Sequence, residues 1–523
     1  MDNGIASIDI AIIALYFVSV LGIGLYIARQ TKTGEDLFLG GRTFGWGLIG
    51  LSLFASNISS TTLIGLSGAA YSTGVVQSVY EWMSGLPLIV AAAIFIPLYL
   101  RARITTIPEF LELRFDRRSR SFFSLITIFT SIVVDTAGGL YAGALVLKLF
   151  FPDLILWQTT LVLALVAGLY TAFGGLKAVV YTDAIQAIIL ILGCSILTYI
   201  LFSKLDFSWS KVLASTPEGH FSMVRPIDDP SLPWTGLILG VPLLGFWYWS
   251  TNQYIVQRVL GARDIEHARW GVIFAGFLKI IPLFIMVIPG AMAISLYPGL
   301  EKPDMVFPTA VLDALPVGLV GLVLAGLISA IMSSVDSTLN SASTLLVVDF
   351  IKPSRPDISQ SQVAWYGRIT TLVLMIVAAV WAPMIQHFEG IWSYLQQMFS
   401  IIVPPVVVLF LVGVFYKRGN GDGAFWTLVI GTLVGVGLFV LGQMELWPFH
   451  YTTNVGIMFF FCTFLFVVIS SQAPAPSAEV VELYTFRRGL LQEGMKQRPW
   501  YLDYRNHMLL LLLLMGGILL AFW

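Results

Sequence analysis

Residues 51–71 read LSLFASNISSTTLIGLSGAAY and residues 241–259 read VPLLGFWYWSTNQYIVQRV, two apolar runs of spanning length with Ser, Thr, Asn and Gln at their middles. A helix in lipid satisfies its backbone internally. A run that keeps polar groups at mid-depth therefore reads as unwound there, which is tolerated where the break lines a cavity and offers carbonyls to a cation. The two runs are the second and seventh crossings along the chain, one five-helix unit apart. Interrupted crossings at matching places in two halves point to an inverted-repeat secondary transporter that binds its solute at the breaks. Hydrogen bonding between helices is the competing account of either run taken singly.

Composition supports a polytopic membrane chain: 57% of the 523 residues are hydrophobic, 11% are charged, and the mean hydropathy is +0.85. A formal net charge of −1 gives no footing for nucleic acid. Cys194 and Cys462 lie in apolar runs and read as small hydrophobes. No CxxC, HExxH, GxxxxGK[ST] or GxSxG pattern occurs. Their absence argues against an ATP-driven pump and the common hydrolases.

Fourteen apolar runs have spanning length, and the first is followed by RQTK without a cleavage pattern, so it reads as a retained helix. If loops alternate sides, one set carries 23 Lys and Arg, residues 258–270 among them, and the other carries five. The positive-inside rule then places both termini outside, in a multi-pass protein of the plasma membrane. The expected organisation is an extra N-terminal helix and loop (1–44), a first five-helix repeat (45–202), an external loop (203–233), a second repeat (234–418) and C-terminal helices (419–523). The segment APAPSAE (473–479) reads as a stiff linker that detaches the last helix from the bundle.

Within LVLAGLISAIMSSVDSTLNSASTLLVV (322–348) an aspartate stands in an otherwise apolar or small run. An ionisable group at the centre of a span costs at least about 2.5 kcal/mol, so Asp336 needs a reason to be there. At about 100° per residue, Ser333, Ser334, Ser337 and Ser341 share one face with Ala330, and Asp336 flanks it. Hydroxyls, carbonyls and a carboxylate are hard oxygen ligands suited to Na⁺. A seam of small residues for close packing would account for the serines but not for the aspartate.

With EDLFLGGR (35–42), FASNISS (54–60), AYSTGVVQSVYEWMSG (70–85), ITTIPEFLELRF (104–115), YTAFGGLKAVVYTDAIQ (170–186), YWSTNQYIVQR (248–258) and SSVDSTLNSASTL (333–345) in this order, the chain resembles the sodium/solute symporter family, in its sodium/sugar symporter branch. The resemblance implies an all-α membrane protein with the LeuT-type 5+5 inverted repeat and additional helices. It implies a first Na⁺ site from the carbonyls of Ala55, Ile58 and Ala330 and the hydroxyls of Ser333 and Ser334. A second Na⁺ site maps onto Asp183, Asp336 and Ser337, with Asp336 where the family has a hydroxyl. Around a sugar the family places residues matching Glu81, Lys279 and Gln396, with Ser84 beside Glu81. Tyr248 matches an inner gate and is followed by Trp249, while Tyr80 and Trp392 match outer-gate aromatics. Three positions depart from the pattern: Thr62 replaces a glutamine, Gly245 an asparagine, and Asp135 stands where sugar members have asparagine and sialic acid members arginine.

The expected function is sodium-coupled import of a neutral polyhydroxylated solute, a hexose or inositol, by alternating access. Partners are that solute, Na⁺ and the lipid bilayer, with no enzymatic cofactor, no catalytic residues and no nucleic acid. An amine-bearing solute, prompted by Asp135, is the alternative within the class. A solute-gated channel or sensor is the alternative outside it. Asp135 is read either as a solute contact or as a structural group, paired with Lys279 or hydrogen-bonded as a helix strut.

Overall fold

The computed structural model describes residues 6–151, 153–300, 302–387, 391–494 and 499–523. Among them the chain is helical, with one isolated bridge between Phe44 and Ala262 in place of any strand. Eleven helices are long and apolar enough to cross a membrane, and a bent pair makes a twelfth. The helix Leu156–Lys204 is kinked at Gly175, whose φ is 60°, and so supplies two of the expected crossings, while the shorter apolar helix Gly236–Ser250 is followed after a break by Gln253–Leu260. Val306–Ala314 is a separate helix, and the long helix Leu319–Leu345 begins after Gly318, whose φ is 88°.

The helices that build the site are α1 (Trp46–Asn57), α2 (Ser60–Thr73), α3 (Val79–Trp82), α4 (Leu156–Lys204), α5 (Val241–Ser250), α6 (Gln253–Leu260), α7 (Ile265–Leu278), α8 (Leu319–Leu345), α9 (Ile391–Val407) and α10 (Tyr451–Gln472). Both polar interruptions are real breaks with side-chain caps. α1 stops at Ile58, Ser59 accepts from the Thr62 amide at 3.2 Å, and the axis bends by 59°. α5 stops at Thr251, and Asn252 accepts from the Tyr254 amide at 3.3 Å to start α6. A side-chain oxygen thus satisfies an orphan amide at each restart, which makes the breaks stable in a dry interior.

α8 is almost wholly enclosed and packs along α4, while the final helix Tyr504–Ala521 faces mostly outward. α1 and α7 approach closely because Gly50 and Gly271 meet there: a Cβ on Gly50 would lie 2.4 Å from Phe274 and 3.0 Å from the Gly271 carbonyl. The buried Asp9 carboxylate, on the N-terminal helix Ser7–Ala28, accepts from the amides of Gly318 and Gly321, both at 2.7 Å, and so caps α8. At the other end Asp349 accepts from Thr106 (2.8 Å), Arg120 (2.6 Å) and Ser124 (2.5 Å).

The segment after residue 473 does not detach the last helix. The Phe486 amide donates to the Val414 carbonyl (2.9 Å), and the Tyr504 hydroxyl donates to Leu491 (2.6 Å). Arg269, buried, donates to the carbonyls of Ala92 (3.1 Å), Leu490 (2.5 Å) and Glu493. Leu511 and Met515 pack against Gly276 and Gly85. The linker's prolines stiffen it, but a buried guanidinium holds the chain beyond the linker onto the bundle.

Candidate solute cavity and cation sites

A cavity of about 130 Å³ of water-accessible space opens beside the two breaks. Its wall brings together Thr62, Tyr80, Glu81, Ser84, Asp135, Tyr248, Trp249 and Gln396, eight of the ten solute residues implied by resemblance. Gly245 is also there. The Trp392 side chain lies outside the described residues. Lys279 is not on the wall: fully buried behind it, its ammonium donates to Glu81 and to Asn57 and lies 5.8 Å from the Trp249 ring centroid. The pairing of Lys279 with Asp135 is therefore replaced by a pairing with Glu81. Trp247, Tyr254 and Phe399 complete an aromatic surface that sequence reading missed, since aromatic residues at such spacing read equally well as core.

Local structure positions each group. Glu81 sits on α3, a single turn that follows the 3-10 turn Val75–Ser78, and Ser84 donates to the Tyr80 carbonyl at 3.0 Å. At the other break the Tyr254 hydroxyl donates to that of Tyr248 at 2.7 Å, and the Tyr248 ring lies edge-on to Trp249 with centroids 5.1 Å apart. Toward α10 the hydroxyls of Tyr80 and Tyr451 are 3.3 Å apart. Tyr451 follows His450, the cap of α10, whose imidazole burial pushes down to about 4; it stays neutral and accepts from the Thr452 amide at 3.4 Å.

The serine face of α8 meets the first break. The Ser59 amide turns to the Asn57 carbonyl (3.2 Å) instead of Ala55, which leaves the Ala55 carbonyl outside the helical ladder. Ser334 donates to the Ala330 carbonyl at 2.9 Å, and Ser333 to Asp183 of α4 at 2.6 Å. Asp183 also accepts from Ser52 (2.6 Å) and Ser56 (2.9 Å). Asp336 joins this cluster through Ser337, whose hydroxyl donates to it at 3.2 Å.

The cluster's cation is one that the sequence reading had assigned to a cytoplasmic loop. Arg258, near the end of α6, is fully buried; it donates to Ser52 at 2.7 Å, pairs with Asp183 at 3.3 Å, and also donates to Ser56, Ser337 and the Tyr254 carbonyl. A signal was available: Arg258 stands one helical turn after Tyr254 on the interrupted span itself. Two carboxylates and one guanidinium therefore meet in the cluster, a formal charge of −1 if both carboxylates are ionised.

Residues 37–431 match the sodium:solute symporter family. The chain belongs to that family. The symporter is 36% identical to human sodium/myo-inositol cotransporter 2 over 86% of its own length and 72% of that protein. It is 32% identical to sodium/glucose cotransporter 4 of Danio rerio over 94% and 83%, and 33% identical to rabbit sodium/glucose cotransporter 1 over 82% and 71%. A solved Na⁺-coupled sialic acid symporter, substrate-bound and outward-open, superposes with a TM-score of 0.80 at 24% identity, covering 90% of the symporter and 99% of that chain. Mhp1, a nucleobase-cation-symport-1 family transporter, superposes at 0.58 and 15% identity over 87% and 98%. The fold is accordingly the LeuT type that the family resemblance implied, in a multi-pass membrane protein. As a member of this family the symporter is a sodium-coupled transporter and not an enzyme.

Proposed function

We propose that the symporter imports a neutral polyhydroxylated solute, a hexose or inositol, together with Na⁺, by alternating access across the plasma membrane with both termini outside. The observation that carries this reading is the Glu81–Lys279 pair at the cavity wall. A carboxylate whose charge is already balanced accepts hydrogen bonds from solute hydroxyls without demanding a cationic solute. Ser84 and Gln396 add neutral donors and acceptors, and the aromatic faces suit the apolar side of a pyranose or cyclitol ring. The relatives named for myo-inositol and glucose support the same class. An acid such as sialate is disfavoured because Asp135 on the wall would repel it. Uptake of labelled glucose and myo-inositol into proteoliposomes, with and without an inward Na⁺ gradient, tests the reading. Accumulation of neither solute above the gradient-free control would overturn it.

In this reading one Na⁺ sits among the carbonyls of Ala55, Ile58 and Ala330 and the hydroxyls of Ser333 and Ser334, and a second is drawn to the residual charge of Asp183, Asp336 and Ser337. Each Na⁺ moved inward adds about 2.3 kcal/mol per 100 mV to the driving force. Reversal potentials are expected to give two Na⁺ per solute in the wild type, falling toward one in Asp336→Ala. Ser334→Ala is expected to abolish coupling. One Na⁺ per solute in the wild type, unchanged by Asp336→Ala, would leave Asp336 a helix strut.

Tyr248 closes the inner side of the cavity by stacking, since a ring at a helix break opens with a rotamer change. Tyr248→Phe keeps the ring and loses the hydroxyl's hydrogen bonds with Tyr254 and Asn57, worth about 1 kcal/mol each. Sodium-dependent uptake is expected to survive it and to become leaky in Tyr248→Ala. Identical flux in both variants and the wild type would remove Tyr248 from the gate.

A further inference from the structure

The charges on the cavity wall do not balance. Among the described residues Glu81 and Asp135 are its two acidic residues, and no Lys or Arg lines it. Glu81 is balanced by Lys279, and Arg258 is bonded to Asp183. Asp135 is partly exposed to the cavity, and among the described residues no hydrogen bond or ion pair reaches its carboxylate. A carboxylate held away from bulk water without a donor is costly, so something that enters the cavity completes it.

The backbone keeps Asp135 where it is. It stands in the π-helical segment Thr130–Thr136, a widened turn of the kind found where a helix presents a functional group. Its neighbour Thr136 is hydrogen-bonded to Thr338 of α8 at 2.6 Å and donates to the Ser131 carbonyl at 2.6 Å, which fixes the register of the turn against the wall. Tyr248 and Tyr254 line the same cavity as Asp135.

Rings beside a single carboxylate are poor ligands for Na⁺, which takes several hard oxygens, and good ones for an organic ammonium, which gains from both the charge and the ring faces. We propose that the cavity accepts polyols that carry a protonated amine, an amino sugar or aminocyclitol, with the ammonium on Asp135 beside the Tyr248 and Tyr254 rings and the hydroxyls toward Glu81, Ser84 and Gln396. This rests on the cavity being the solute site of the symporter. It extends the solute class from neutral to cationic polyols.

Sodium-dependent thermal stabilisation of the purified full-length protein tests it, with matched pairs as probes: 2-amino-2-deoxyglucose against glucose, and an aminoinositol against myo-inositol. In the wild type the amine of at least one pair is expected to bind at least about tenfold more tightly than its parent. In Asp135→Asn that ratio is expected to fall toward one. Asp135→Glu, which keeps the charge, is expected to retain a preference for the amine. Parents that bind while neither amine shows an advantage in the wild type would mean that a proton or Na⁺ neutralises Asp135, and would overturn this proposal alone. An advantage that persists in Asp135→Asn would overturn it as well. No sodium-dependent shift with any of the four probes would overturn both this proposal and the function on which it rests.

Discussion

Lys279→Met, alone, is expected to cost about 3–5 kcal/mol of stability, because it leaves the Glu81 carboxylate buried without its cation. Glu81→Ala is expected to cost a similar amount by stranding the ammonium, and to abolish solute binding besides. The double variant Glu81→Gln/Lys279→Met removes both charges. It is expected to recover most of the lost stability and none of the solute binding, since the carboxylate facing the cavity is still missing. Thermal melting in detergent, with and without myo-inositol or glucose, separates the two effects. Additive losses in the double variant would show that the residues do not act as a pair, and solute binding by it would remove Glu81 from the site.

Arg258→Ala is expected to have an effect as large, for a different reason. It withdraws the guanidinium from Asp183, Ser52, Ser56 and Ser337 together, and leaves two carboxylates leaning on hydroxyls. A loss of about 3–5 kcal/mol is the expectation for breaking a buried pair on one side. Added Na⁺ should restore part of that stability in Arg258→Ala, and restore more than it adds to the wild type, because the vacated cluster carries a formal charge of −2 and is built of hard oxygens. Equal stabilisation of both proteins by Na⁺, compared with choline chloride at the same ionic strength, would show that the cluster does not attract the ion.

The breaks were legible in the sequence because lipid makes the alternatives so costly: FASNISS and YWSTNQ had to be either unwound backbone or interhelical glue, and their spacing favoured the first. Asp336 stood out for the same reason, whereas Asp135 and Asp183 came only with the family resemblance. What pairs with them was not legible. Lys279 is four turns past the start of α7 and its partner Glu81 is 198 residues away, so only the packing of α3 against the breaks decides between Glu81 and Asp135. Arg258 was misplaced because the end of a helix looks like the start of a loop when a basic residue stands there. The C-terminal linker was misread because Pro-rich sequence reports stiffness and says nothing of a clamp such as Arg269, which comes from an element more than 200 residues earlier.

The two carboxylates at the ends of α8 have a mechanical meaning. Asp9 bolts its first turn to a peripheral helix, and Asp349 rivets the π-helical turn at its far end to Thr106 and to Arg120 and Ser124 of the helix Arg117–Phe129. A rod fastened at both ends does not tilt with its neighbours. The serines at 333 and 334 therefore sit on the stator, while the Ala55 and Ile58 carbonyls across from them belong to a jointed helix hinged at Ser59. If the proposed first site holds its sodium ion between the two, that ion would act as a removable latch: seated, it would lock the joint to the rod, and its departure would let the jointed helix swing free.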